Sequence, residues 1–133
     1  MIGIILITHG TLGQALFETL VHIMGTQPNI FVLSIDSENA AEDYFQKILI
    51  LIQQADQGKG VVLLTDMFGG TPSNLAISVL SSETPLEVIA GVNLPLFIKL
   101  VEIRETASLE DAVLLAQEAG RKYINCASNL LKN

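Results

Sequence analysis

Met1-Ile2-Gly3-Ile4-Ile5-Leu6-Ile7-Thr8-His9-Gly10-Thr11 is an apolar run that stops at a histidine and a glycine. Val61-Val62-Leu63-Leu64-Thr65-Asp66-Met67-Phe68-Gly69-Gly70-Thr71-Pro72-Ser73-Asn74 repeats the arrangement, ending in an aspartate and a glycine-rich turn. Neither run alternates apolar with polar residues. Each therefore reads as a strand buried on both faces, the condition of a parallel sheet covered by helices on either side. The polar tips of two such strands lie at one edge of the sheet, where α/β proteins place their chemistry.

Outward from these runs the elements alternate. Ile2–Thr8 reads as a first strand and Leu12–Met24 as a helix, with Thr11 able to cap it; Gly25–Asn29 is a turn. Ile30–Ile35 is a second strand, and Asn39–Gln54 an amphipathic helix with Glu42 and Asp43 in its first turn. After the third strand, Val61–Thr65, Thr71-Pro72 gives a capping residue and a proline at the first helical position, opening a helix to about Leu80. Leu86–Ala90 is a fourth strand, followed by a helix ending near Ile103. Ser108-Leu109-Glu110-Asp111 has the form of a capping box, and Gly120 stands where a left-handed cap would end the last helix. Strict alternation implies a single domain over residues 1–133: a doubly wound, four-stranded parallel sheet with helices on both faces. The economical strand order is 2-1-3-4, and its topological switch falls between the strands that carry His9 and Asp66.

Composition narrows the classes. Half of the 133 residues are hydrophobic, yet His9-Gly10, Asp66 and Gly91 interrupt every run before it reaches a membrane-spanning length. A formal charge of −7 argues against a nucleic-acid partner, which needs clustered Lys and Arg. The start of the chain lacks the basic segment and cleavage site of a secretory signal, and the single cysteine, Cys126, can form no internal disulfide. The expected compartment is the cytoplasm, with Cys126 an inert thiol packed in an apolar stretch.

His9 and Asp66 form the candidate catalytic pair. A carboxylate bonded to one ring nitrogen would fix the tautomer, leave the other a free lone pair, and stabilise a cationic ring. Gly69, Gly70 and Thr71 let backbone approach an anion at a helix N-terminus; Gly10 and Thr11, on the turn beside His9, are further candidate phosphate contacts. Met67 and Phe68 are candidates for partner docking, or for inward packing. No second histidine or cysteine stands near His9 to hold a metal, and neither a Walker lysine nor a nucleophile-elbow serine is present. No metal or cofactor is expected. One nucleophilic imidazole, one orienting acid and an anion pocket suit a carrier that takes a phosphoryl group from one protein and gives it to another. The alternatives are a phosphohistidine-dependent phosphatase or mutase, and a non-catalytic flavodoxin-like regulatory module.

Thr8-His9-Gly10, the Asp66–Asn74 loop, Ala90-Gly91-Val92-Asn93-Leu94-Pro95 and Ala119-Gly120-Arg121, in this order, resemble the mannose-type IIA domain (mannose/fructose/sorbose family) of the bacterial phosphoenolpyruvate-dependent sugar phosphotransferase system. The likeness covers essentially the whole chain. It implies that His9 is phosphorylated on Nε2 by the small phosphocarrier HPr, that Asp66 holds Nδ1, and that the phosphoryl group then passes to a histidine of a IIB protein. Asn93 would share in docking. A homodimer is implied, with a C-terminal antiparallel strand at about Arg121–Ser128 exchanged between subunits, and contact with the membrane only through a permease complex. Phe68 and Thr71 depart from the family's frequent Trp and Ser while keeping their chemical type. No IIB segment follows in this sequence, so the acceptor is expected on a separate protein.

Overall fold

The computed structural model describes residues 1–36 and 40–132. Its elements are β1 (Gly3–His9), α1 (Leu12–Met24), β2 (Ile30–Ile35), α2 (Ala41–Ala55), β3 (Val61–Thr65), α3 (Thr71–Ser78), β4 (Leu86–Ala90), α4 (Leu94–Ile103), α5 (Leu109–Lys122) and α6 (Ala127–Leu130). The four strands form one parallel sheet in the order β2-β1-β3-β4, as the alternation predicts.

Burial on both faces explains the unbroken apolar runs. Successive side chains of a strand point to opposite faces. On one face Ile2, Ile4, Leu6, Val62 and Leu64 pack against α1, α4 and α5 through Leu20, Phe97, Leu100, Ala112 and Ala116. On the other, Ile5, Ile7, Val61 and Leu63 meet α2 and α3 through Ile48, Ile52, Leu75 and Ala76. Each fully buried Ile or Leu contributes about 1.5–3 kcal/mol relative to exposure. A charge in the middle of β1 or β3 would therefore break the fold from either side. β2 and β4 are the sheet edges, and both are less completely buried than the central pair.

The opposite end of the sheet from His9 is tied by Arg104, which is buried. Its guanidinium donates to the carbonyls of Pro28 at 2.6 Å and Asn29 at 3.3 Å, and its own carbonyl accepts from the Ile2 N–H at 3.1 Å. Burial lowers the pKa of this guanidinium, with Glu105 pulling the other way.

Several sequence expectations are corrected. Asn39, the expected start of the second helix, lies outside the described residues; α2 runs from Ala41 to Ala55, and α3 ends at Ser78 rather than Leu80. Thr11 stands at the N-cap of α1, but its side chain makes no cap bond. Thr8 supplies one, its hydroxyl accepting the Gly13 N–H at 2.7 Å, because the left-handed turn at Gly10 (φ 51°) folds the helix start back over the strand end. Gly120 does not end α5: it lies inside the helix, facing α4, where an added Cβ would sit 3.1 Å from the Leu96 Cβ. It is a glycine of close approach. Ser108 behaves as expected, its hydroxyl accepting the Asp111 N–H at 3.1 Å.

The segment from Arg121 onward is not a strand in the single chain. α5 continues to Lys122 and a single turn, α6, follows, with every described residue after Gly120 exposed. A strand needs a neighbouring edge for its backbone groups; this segment pairs with none, and local i→i+4 bonds such as Leu130 N–H to the Cys126 carbonyl satisfy them instead. Cys126 is accordingly exposed rather than packed. Hydrogen bonds from the Ser128 hydroxyl and then the backbone of Asn129 and Ser128 lower its thiol pKa.

Candidate functional site

The site is built where β1 and β3 end. Ile7 pairs with Thr65 across the two strands, so His9 and Asp66 leave the sheet together, one residue out of step. The His9 Nδ1 lies 2.7 Å from the Asp66 Oδ2, which also accepts the backbone N–H of His9 at 2.9 Å. The second carboxylate oxygen, Oδ1, accepts the Met67 N–H at 3.0 Å. A carboxylate can only accept, so Nδ1 carries the proton and a neutral ring presents its lone pair at Nε2.

Exposure divides the pair by task. Asp66 keeps only 11% of its side chain exposed, while His9 keeps 52%. Burial pushes the Asp66 carboxyl up, but the bonds from the His9 N–H and ring, the attraction of the ring when it is cationic, and the Met67 N–H outweigh it and hold the carboxyl below its ordinary value. The acid stays ionised and the base stays reachable.

The glycine-rich loop closes over the ring. A Cβ on Gly70 would stand 2.8 Å from the His9 Cε1 and 3.3 Å from Nε2. Gly70 has φ −101° and ψ 169°, which any residue adopts, so the requirement for glycine here is the ring itself and not the backbone. Gly69 does need its freedom, with φ 83°. Gly70, not Thr71, is the N-cap of α3, and Thr71 makes no side-chain cap bond; its side chain is exposed at the start of the helix. The first turns of α1 and α3 thus open beside His9, with backbone N–H groups and positive dipole ends directed at the same edge.

Met67 and Phe68 point outward, 58% and 66% exposed, which excludes inward packing. Asn93 is occupied structurally. Its Oδ1 accepts the Leu96 N–H at 3.0 Å, capping α4, and its amide donates to the Gly120 carbonyl at 2.9 Å. Thr65 and Ser73, whose roles no sequence pattern marks, are buried beneath the loop and bonded to each other. Beside the site a groove of about 280 Å³ runs along the free edge of β4, lined among others by Phe68, Gln117, Arg121 and Ile124. Among the described residues no cluster of three or more metal-ligating side chains occurs, and no helix is long and apolar enough to cross a membrane.

Most of this chain is similar to known proteins of one family. The family profile described as "PTS system fructose IIA component" matches residues 3–117. The chain is 33% identical over 124 residues to the "PTS system mannose-specific EIIAB component" of Escherichia coli K12, covering 92% of this chain but only 38% of that relative. It is 30% identical over 111 residues to the "PTS system fructose-specific EIIA component" of Bacillus subtilis, covering 84% of this chain and 76% of the relative. Among solved structures, the phosphotransferase system component EIIA from Streptococcus agalactiae superposes with a TM-score of 0.88 at 24% identity, covering 97% and 99% of the two chains. The mannose/sorbose-specific IIA subunit from Enterococcus faecalis gives 0.84 at 21%, covering 94% and 93%; these likenesses speak for the fold. The chain belongs to the mannose-family IIA components of the phosphotransferase system.

Proposed function

We propose that this IIA component is a phosphocarrier whose His9 takes a phosphoryl group from phospho-HPr onto Nε2 and hands it to a histidine of a separate IIB protein, serving sugar uptake or its regulation. The observation that carries the reading is the 2.7 Å bond between Nδ1 and the Asp66 Oδ2, combined with a ring that remains half open to solvent. In the forward step the Nε2 lone pair attacks phosphorus. The P–N bond to the donor breaks, and its electron pair returns to the donor's ring nitrogen. No proton leaves His9: Nδ1 keeps its hydrogen, and the positive charge on the ring is balanced by the Asp66 carboxylate and the phosphoryl oxygens. The reverse geometry serves the acceptor.

The phosphoryl oxygens would meet the backbone N–H groups around Thr11, Gly69, Gly70 and Thr71, with the Thr71 hydroxyl free to donate; the Gly10 N–H is taken by the Ile35 carbonyl at 3.0 Å, so Gly10 would serve only by turning the chain. This is the arrangement that makes a helix start an anion site. Met67 and Phe68 give the face its apolar contact, with Asn93 shaping the neighbouring loop. Exposed aromatic and Met side chains beside a reacting group are what a transient protein interface uses. A homodimer is part of the reading: the wholly exposed segment 121–128 and the open edge of β4 are the two halves a strand exchanged between subunits would join. The protein acts in the cytoplasm and reaches the membrane only through a permease complex. A phosphatase reading is disfavoured, because Thr8, where such enzymes carry arginine beside the nucleophile, is buried with its hydroxyl engaged by Gly13.

The test is labelling with phosphoenolpyruvate, enzyme I and HPr. The expected product is an acid-labile, base-stable phosphate on His9, absent from His9→Ala. Equal labelling of His9→Ala would end the reading.

A further inference from the structure

Two hydroxyls lie where the core meets the site, and the chemistry above uses neither. Thr65, the last residue of β3, and Ser73, in the first turn of α3, are both fully buried. The Ser73 Oγ donates to the Met67 carbonyl at 2.6 Å. A hydroxyl has one hydrogen to give, so the Thr65 Oγ1, also 2.6 Å away, must donate to Ser73. The direction of the chain is thereby fixed: Thr65 to Ser73 to the Met67 carbonyl.

Met67 is held at both ends. Its N–H donates to the Asp66 Oδ1 at 3.0 Å, and the opposite oxygen of that carboxylate grips the His9 ring. The Met67 side chain is exposed and anchors nothing itself. What holds the Met67 backbone under the Asp66 carboxylate is therefore the hydroxyl of Ser73. We propose that Ser73 is a positioning residue for the reacting imidazole, fixing the Asp66 carboxylate on Nδ1 through the backbone of Met67. The inference rests on the reading of His9 as phosphoryl acceptor. Thr65 only orients Ser73; without it Ser73 keeps its hydrogen for Met67.

That asymmetry supplies the control. Thr65→Val removes one buried hydroxyl bond and Ser73→Ala removes both, so each should lower the melting temperature, Ser73→Ala the more. Only Ser73→Ala releases Met67. In the full chain, the proton resonance of the His9 Nδ1–H should move upfield and exchange faster in Ser73→Ala, with transfer from phospho-HPr slowed between roughly tenfold and a hundredfold, the scale set by misplacing a reacting group. Ser73→Cys, which fills the same space with a weaker donor, should fall between, and serves if the alanine variant does not fold. Thr65→Val should keep the resonance and the rate near those of the unmutated chain. An unchanged resonance and rate in both Ser73 variants would overturn the proposal, as would displacement of the same size in Thr65→Val. If the unmutated chain does not label on His9, the carrier reading fails instead, while the resonance still judges the positioning.

Discussion

Gly70→Ala isolates the contact between the glycine-rich loop and the reacting ring. The Gly70 backbone already suits an L-residue, so alanine brings no dihedral strain there. It brings a Cβ 2.8 Å from the His9 Cε1, where carbon atoms rest at about 3.5–4.0 Å. Ring and loop must separate by roughly 0.8 Å. Taken up along the Nδ1···Oδ2 bond, now 2.7 Å, that movement carries the pair out of hydrogen-bonding range. A hydrogen bond to a charged group contributes about 1.5–3 kcal/mol, so its loss in the transition state slows transfer from phospho-HPr roughly tenfold to a hundredfold. Alanine is also a poor N-cap, costing about 0.5–1 kcal/mol of stability. Gly70→Ser separates the two effects, since serine restores the cap but keeps the Cβ. The assay is single-turnover transfer monitored beside thermal melting: both variants should be slow, and the alanine variant should melt earlier than the serine variant. Gly70→Ala transferring at the unmutated rate, with the His9 Nδ1–H resonance unmoved, would refute the reasoning.

Phe68→Ala should weaken transfer from HPr by raising the apparent KM while leaving the melting temperature nearly unchanged, because the ring is 66% exposed; a fall in melting temperature without a kinetic effect would reject the docking role. Asp66 predicts an acid limb. Its folded pKa lies below its ordinary value of 3.8, so the stability it contributes is complete above that value and is lost as pH falls through the folded one. Asp66→Asn should flatten the acid-side fall in denaturant midpoint. It should also slow transfer, since one amide oxygen cannot serve the three N–H donors that the carboxylate serves; an unchanged acid limb would argue against the pairing.

The parts legible in the sequence are those written as one-dimensional pattern. Two-sided burial leaves no polar alternation in β1 and β3, and the residues that break those runs are the ones that meet at the site. What stayed hidden depends on where a turn aims a group. The Thr8 side chain rather than that of Thr11 caps α1 because Gly10 reverses the chain, and a hydroxyl count cannot reveal that. Gly120 carries the same letter as a helix terminator but answers to Leu96 across the helix pair. Thr65 and Ser73 read as a strand end and a helix start, and only the packing of α3 against β3 turns them into one hydrogen-bonded column. The C-terminal segment is the opposite case. Its β-like residues pair with no strand in the single chain, although the edge of β4 is free.

If His9 carries a phosphoryl group as proposed, its open face has a consequence for the lifetime of that state. This protein supplies half an enclosure: a nucleophile, its acid and a cradle of amides, with the outer wall missing. Shielding from bulk water must then come from whichever protein is docked, so the phosphoramidate is sheltered during hand-over and bare in between. Its survival between encounters becomes a race between hydrolysis and diffusion, set by how abundant the acceptor is.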